Sequence, residues 1–506
     1  MRIALVLRYV LLLFGLASAS AAQTFTGTIT GRVLDPHQAA VPNAVVLLRN
    51  AVTGVDRLTS TGSEGEYVFT LVPPGKYTVH VDASGFAPSS ISVDVGVAAS
   101  SRADIIIGVR GLKEEVKVLA ENGVAVHTDS AQLGTTVSQF QLLELPSITR
   151  NPYDFVALAA DANPSSDTRG IAFAVNGQRS ASGNYVLDGG ENNDTFIASP
   201  AQGIPLDAVQ EYAVQTNNYS AEYGRNAGFI ANVVTKSGTN QFHGSIYDFV
   251  RNSALAANTF NNNANGLARP VFNRHQFGGA IGGPVWKRKL FFFVSSESIL
   301  VRSNSPNTFF VPTPQLLAIS SPGTQAIFQK YPLPSNLSTS NVLTRAVCPF
   351  GATCDPNSGS GFVTLPAFAF TSRTGPKDAG AGAPQNTILL TGRMDWVIDA
   401  KTQFLARYAF QNKDQFPTVS QPYSAALDQP GSGRNQNIAL NLIRIWSVHW
   451  AMESRIVYNR VIGDPEGPHL DLDARAVDWP IGWTPDGQAV AFQAERGGVV
   501  NIWFSL

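Results

Sequence analysis

The sequence predicts a mainly β protein in three parts: a small N-terminal β-sandwich, a mixed α+β unit, and a partial antiparallel transmembrane β-barrel. Three observations lead there. Charge is sparse, with Asp, Glu, Lys and Arg making up 14% of 506 residues, against about 25% in an ordinary soluble protein. Short apolar runs between turn residues fill the region 24–110. After residue 240 the runs lengthen to about nine to eleven residues with apolar–polar alternation, the length a tilted strand needs to cross a bilayer.

The N-terminus carries an export signal. Arg2 and Arg8 flank the apolar run Ile3–Leu16, and Ala17-Ser18-Ala19-Ser20-Ala21-Ala22 supplies small residues for cleavage. This is a basic segment, a short hydrophobic segment and a processing site. The run is too short for a membrane-spanning helix, which needs about 20 apolar residues. Residues 1–22 are therefore expected to be removed, leaving residues 23–110 as the first folded part.

Within 23–110, strands are expected at Gly27–Val33, Ala44–Leu48, Tyr67–Leu71 and Tyr77–Val81. Asp35-Pro36, Ser63-Glu64-Gly65 and Pro73-Pro74-Gly75 turn the chain between them. Alternating short strands at this spacing argue a β-sandwich. Tyr67, Tyr77 and Phe86 could stack on a sugar, although packing in the core is the simpler role for them. Residues 111–122 read as a charged linker with an extended centre, Glu115-Val116-Lys117-Val118-Leu119.

Residues 123–238 read as the α+β unit. Ser138 caps a helix that Pro146 ends, Asn151 opens another, and a third is expected over Leu206–Tyr212, ahead of a strand Ala213–Thr216. Strands are expected at Ala172–Gly177 and Asn184–Gly189. Residues 239–460 carry the long strands: Phe242–Arg251, Phe272–Pro284, Leu290–Val301, Leu390–Asp399, Gln403–Phe410, Asn437–Trp450 and Glu453–Asn459. Seven strands fall well short of the 22 or so of the largest plugged barrels. The expectation is a truncated wall.

The candidate chemistry is thin. A net charge of −1 and the lack of a basic cluster exclude an electrostatic nucleic-acid binder. The seven histidines have no ligand spacing between them, and no nucleophile elbow, phosphate loop or HExxH occurs, so neither catalysis nor a cofactor is expected. Asp188, Glu191 and Asp194 gather carboxylates in one turn, but their spacing is not that of an EF-hand, and Gly-Asn-Asp clusters are ordinary turn chemistry. No metal is expected there. Gly278–Gly283, GGAIGG, reads as tightly packed strand or turn. Cys348 and Cys354, in an exported chain, are candidates for a disulfide that clips an exposed segment.

Three segments carry a family resemblance: "VNGQRSASGNYVLDGGENND", "AEYGRNAGFIANVVTKSGTNQFHGSIYDFVRN" and "RHQFGGAIGGPVWKRKLFFFVSSES". In this order they resemble the plug-to-barrel junction of TonB-dependent outer-membrane receptors, in the Oar-like subgroup. "GRVLDPHQAAVPNAVVLLRN" and "GEYVFTLVPPGKYTVHVDASGF" are similar to the carboxypeptidase-regulatory-like domain of that subgroup, a prealbumin-like sandwich often grouped with carbohydrate-binding folds. The resemblance implies that residues 123–238 are a plug and that the chain sits in the outer membrane. It implies a periplasmic TonB-type partner pairing with a TonB box at Glu115–Leu119. It also implies uptake of an extracellular ligand: siderophore, oligosaccharide, peptide or protein. Glu222 and Arg225 are candidates for a plug–barrel latch. Residues 461–506 depart from the family and are similar to one β-propeller blade. The alternative reading is a surface carbohydrate-binding or adhesion protein anchored by barrel strands.

Overall fold

The computed structural model describes residues 25–109 and, with gaps, residues 132–464; the longest gaps are 333–341, 375–384 and 416–430. Between 471 and 505 it describes the backbone of four strands. The segments 1–22 and 111–122, with Glu115–Leu119, lie outside the described residues.

The first part is a sandwich of two sheets. One orders Glu66–Val72, Gly27–Leu34 and Ser100–Arg102, with Ile105–Ile106 also on Gly27–Leu34. The other orders Asp56–Ser60, Val45–Asn50, Gly75–Asp82 and Ser89–Val95. Period-two alternation sends Ile29, Val33, Val46, Leu48, Val79 and Val81 between the sheets. Each such side chain contributes about 1.5–3 kcal/mol by leaving water. Tyr67 and Tyr77 are buried in the same core. Their hydroxyls donate to the Ala103 and Pro73 carbonyls, so neither ring is free to stack on a sugar.

The second part holds a five-stranded sheet in the order Gly190–Glu191, Gly183–Leu187, Phe229–Thr235, Val209–Asn217, Leu133–Ser138. Gly183–Leu187 runs parallel to Phe229–Thr235 and the other pairs are antiparallel. The helix Gln139–Glu144 starts at Ser138, whose side chain forms a capping box with Gln141. Asn151 caps a 3-10 segment, Pro152–Leu158. The helix expected over Leu206–Tyr212 is not formed. Leu206–Ala208 makes one 3-10 turn, and Val209 already begins the strand. Glu211 and Tyr212 pair with Val234 and Val233 on one side and with Ser138 and Val137 on the other. Two-sided sheet pairing outweighs a weak helical preference in a segment holding Val209, Tyr212 and Val214.

The wall is a seven-stranded antiparallel meander. Its strands are, in order, His243–Asn252, Phe272–Trp286, Leu290–Ser303, Asn386–Asp399, Thr402–Gln415, Gly431–Ser447 and Trp450–Asp464. Each contains or overlaps a strand expected from the alternation. Among the described residues the first and seventh strands each keep one unpaired edge, and the wall does not close. Tight turns join strands at one end and long connections at the other, as in membrane barrels. Trp286, Trp396, Trp446 and Trp450 are all exposed near the tight-turn end, an aromatic girdle at one level. Outward residues are apolar, including Val294, Met394, Ile438 and Ile456. Inward ones carry Glu297, Arg393, Arg407 and Asn437, all buried.

The longest connection, between the third and fourth strands, folds on its own core. Pro306–Pro312, Val363–Thr374 and Val342–Val347 form a sheet in that order, packed with the helix Pro314–Ala318 around Leu316, Val347 and Ala367. Cys348 and Cys354 are joined in a disulfide there, six positions apart. The tail is a separate four-stranded antiparallel meander over 471–505.

Candidate functional site

The site builds outward from one turn. Gly183–Leu187 ends in the apolar core of the central unit, and the chain reverses through Asp188 and Gly189, both at positive φ, +48° and +72°. Asp tolerates the left-handed region better than most residues, and Gly adopts it freely. At Gly189 a Cβ would also collide with the Arg455 guanidinium of the seventh strand. The turn therefore meets the wall backbone-first.

It presents Asp188 to two cations. One Asp188 carboxylate oxygen accepts from Arg407 Nε at 3.0 Å and the other lies 3.4 Å from Arg393 Nη1. Thr235 donates to the same carboxylate from its backbone N–H at 2.8 Å and from its hydroxyl at 3.0–3.1 Å. Both arginines come from the wall, from its fourth and fifth strands. Arg393 is further held by Asp395 at 2.8 Å and by the Thr235 carbonyl at 2.7 Å. Arg407 also donates to Asn437 and to the Leu187 carbonyl. Asp395 in turn accepts from Ser237 at 2.7 Å, just where the chain leaves the central unit for the wall. Isolated charges at this depth would be costly, and only mutual pairing with further hydrogen bonds makes the arrangement tolerable.

Polar side chains of the wall extend the contact. Asn459 donates to the Glu191 carbonyl and Asn435 to the Ala201 carbonyl, while Gln411 accepts from the Gly203 N–H at 3.1 Å. A second junction lies at the first strand. Arg150 pairs with Asp207 out of solvent and lies over the rings of Tyr247 and Phe249, 4.9 and 3.8 Å from their centroids. Arg274 donates to the Ile148 and Thr149 carbonyls at 2.7 Å.

The sandwich is docked at the tight-turn end. Phe25, Val97 and Ala98 pack with Ala213 and Val234 of the central unit and Leu405 of the wall. The Val97 N–H donates to the part-buried Glu211 carboxylate at 2.7 Å. Burial pushes that carboxyl up to about 7; the Val97 N–H opposes the rise and the Asp94 carboxylate adds to it. Asn240, in the link to the first strand, donates to the Thr53 carbonyl.

The expected site residues divide accordingly. Asp188 is the centre of the ion-pair cluster. Glu191 contributes its backbone carbonyl to Asn459. Asp194 caps its own turn by accepting from the Phe196 and Ile197 N–H groups. The three carboxylates do not converge, and among the described residues no metal-capable cluster forms. Glu222 and Arg225 lie outside the described residues. Arg393 and Arg407 were missed as functional residues. The available signal was two arginines at inward-facing positions of membrane strands, where a charge requires a partner.

Comparison with known proteins places these features in a family. The family model for an outer membrane β-barrel domain matches residues 234–494, and that for a carboxypeptidase regulatory-like domain matches residues 28–107. The TonB-dependent transporter Oar of Myxococcus xanthus is 28% identical over 307 residues, which are 58% of this chain and 29% of Oar. The carboxypeptidase N catalytic chain of Rattus norvegicus is 37% identical over 76 residues, 15% of this chain and 16% of that one. Among solved structures, the outer membrane transporter YddB of Escherichia coli aligns over 71% of this chain and 44% of its own, with a TM-score of 0.43 and 10% identity. The chain thus spans less than a third of the length of the curated relatives it matches. With its wall matched along its whole length, the chain belongs to the outer membrane β-barrel domain family, carries a carboxypeptidase regulatory-like domain ahead of that barrel segment, and is a homologue of the TonB-dependent transporter Oar.

Proposed function

We propose that the chain works as a TonB-dependent receptor of the outer membrane, in which residues 123–238 are a plug held against the wall until a periplasmic partner pulls on it. The observation that carries this reading is the buried contact of Asp188 with Arg393 and Arg407. It is a specific, buried attachment between two units that the chain connects through the short link after Thr235. The tight-turn end, with its tryptophans and docked sandwich, faces the periplasm. The long connections, including the disulfide-clipped subdomain, face outward and meet the ligand. Glu115–Leu119 is the segment that a TonB-type protein captures by strand addition, reading backbone hydrogen bonds more than side chains.

Two experiments test it. The expressed chain should fractionate with the outer membrane and change its electrophoretic mobility on boiling; a soluble or degraded product defeats the reading. The periplasmic domain of the host's TonB-type protein should retain the full chain on a column, and Val116→Pro, which removes a backbone donor, should abolish retention. Equal retention of both forms removes Glu115–Leu119 from the coupling role.

A further inference from the structure

Between the sandwich, the central unit and the tight-turn end of the wall lies a cavity of about 710 Å³. The sandwich contributes the hairpin after Asn50 and the turn at Pro73-Pro74. The central unit contributes Leu143 and the link that starts at Lys236. The wall contributes Phe242 and Val397. Apolar groups form much of the lining, but its charges do not balance. Of the acids that line it, Asp395 is taken by Arg393 and Asp207 by Arg150. Arg57, Lys76 and Lys236 also line it, and among the described residues none of them has a carboxylate within ion-pair distance. Arg57 donates to the Thr70 and Leu71 carbonyls, which leaves its positive charge uncompensated.

We propose that this cavity binds an amphipathic organic anion, a carboxylate-headed molecule with an apolar body, with Lys236 as the principal partner of the head group. A site of this size suits a small molecule, and mostly apolar walls with a few convergent polar groups are the usual form of such sites. Burial lowers both cations, Arg57 to about 10 and Lys236 below the ordinary lysine range despite the opposing pull of Asp207. A bound anion relieves that cost. Lys236 is the last residue before the chain turns toward the wall, and its backbone N–H is anchored on the Ala208 carbonyl. Occupancy therefore bears on the junction between sandwich, central unit and wall, independently of what the receptor carries inward.

The test is titration calorimetry on the full chain in lipid nanodiscs, with phenylbutyrate as probe and its neutral isostere phenylbutyramide as control. Phenylbutyrate should bind saturably and at least about tenfold tighter than the amide, the size expected of one charge-assisted hydrogen bond. Lys236→Gln should remove the advantage and Lys236→Arg should restore it. If acid and amide bind alike on the unsubstituted chain, or neither saturates, the proposal falls without reference to any variant. If Lys236→Gln folds and still prefers the acid, the assignment of Lys236 falls.

Discussion

Asp188 and Arg407 meet at 3.0 Å with both side chains fully out of solvent, 219 positions apart in the chain. One belongs to the turn of the central unit and the other to the fifth strand of the wall, so this contact fixes where the two units sit. Removing one partner leaves the other charge buried and unpaired, which typically costs about 3–5 kcal/mol. Asp188→Ala should therefore lower the midpoint of chemical unfolding sharply, and Asp82→Asn on the sandwich surface should barely move it, changing the unfolding free energy by less than about 0.5 kcal/mol. Equal midpoints for the two variants would show that the ion pairs do not hold the units together.

The turn itself is the next weak point. Gly189→Ala places a side chain at a φ of +72° and against Arg455. We expect a loss of about 1–3 kcal/mol, read by urea denaturation. The loss should shrink when Arg455→Ala is combined with it, because the collision partner is then gone.

The sandwich contact should respond to pH. The Glu211 carboxyl is raised from its ordinary value to about 7 in the docked state. A raised carboxyl favours the docked form when protonated, so docking is at full strength below the ordinary glutamate range and weakens as pH rises through about 7. Hydrogen exchange at the Val97 amide should be slow at pH 5 and disproportionately faster at pH 8, after correction for intrinsic rates. Glu211→Gln should flatten that dependence. A pH-independent protection factor in the unsubstituted chain would rule the effect out.

The disulfide acts locally. It closes a short loop in the connection between the third and fourth strands, where loop entropy gives about 2 kcal/mol. Cys348→Ser with Cys354→Ser should speed proteolytic cleavage within residues 306–374 and leave the heat-dependent mobility of the wall unchanged. A change in that mobility would mean the subdomain braces the wall.

Much of this architecture was legible in the sequence because it is locally encoded. The wall strands announce themselves by alternation, as in Met394 and Trp396 outward against Arg393 and Asp395 inward. The sandwich strands are punctuated by Asp35-Pro36 and Pro73-Pro74-Gly75. Leu206–Tyr212 misled because helix and strand preferences are nearly balanced there, and the neighbours that decide it, Ser138 and Val234, lie far away in the chain. The site was the least legible part. Asp188 stood out as a turn acid, but nothing near it in sequence names Arg393 or Arg407. Their partnership depends on strand register and on how the central unit is seated, and both are set by the whole fold.

The central sheet also has a mechanical asymmetry. Among the described residues Leu133–Ser138 is its edge strand, hydrogen-bonded on one side only, to Val209–Asn217. It is also the first described strand after the sandwich, so tension arriving from the N-terminal side loads it first. Pulled outward from Leu133, its rungs are strained one after another, like a zip, and each yields at low force. The Asp188 cluster lies at the end of Gly183–Leu187, three strands further in, and shares the load with Phe229–Val233. A chain stretched from its N-terminal side should give way in two stages, a soft release of the edge strand and then a stiffer rupture at the wall. Single-molecule extension would register these as two separate lengths of freed chain, and a single rupture would mean that the edge strand and the cluster fail as one unit.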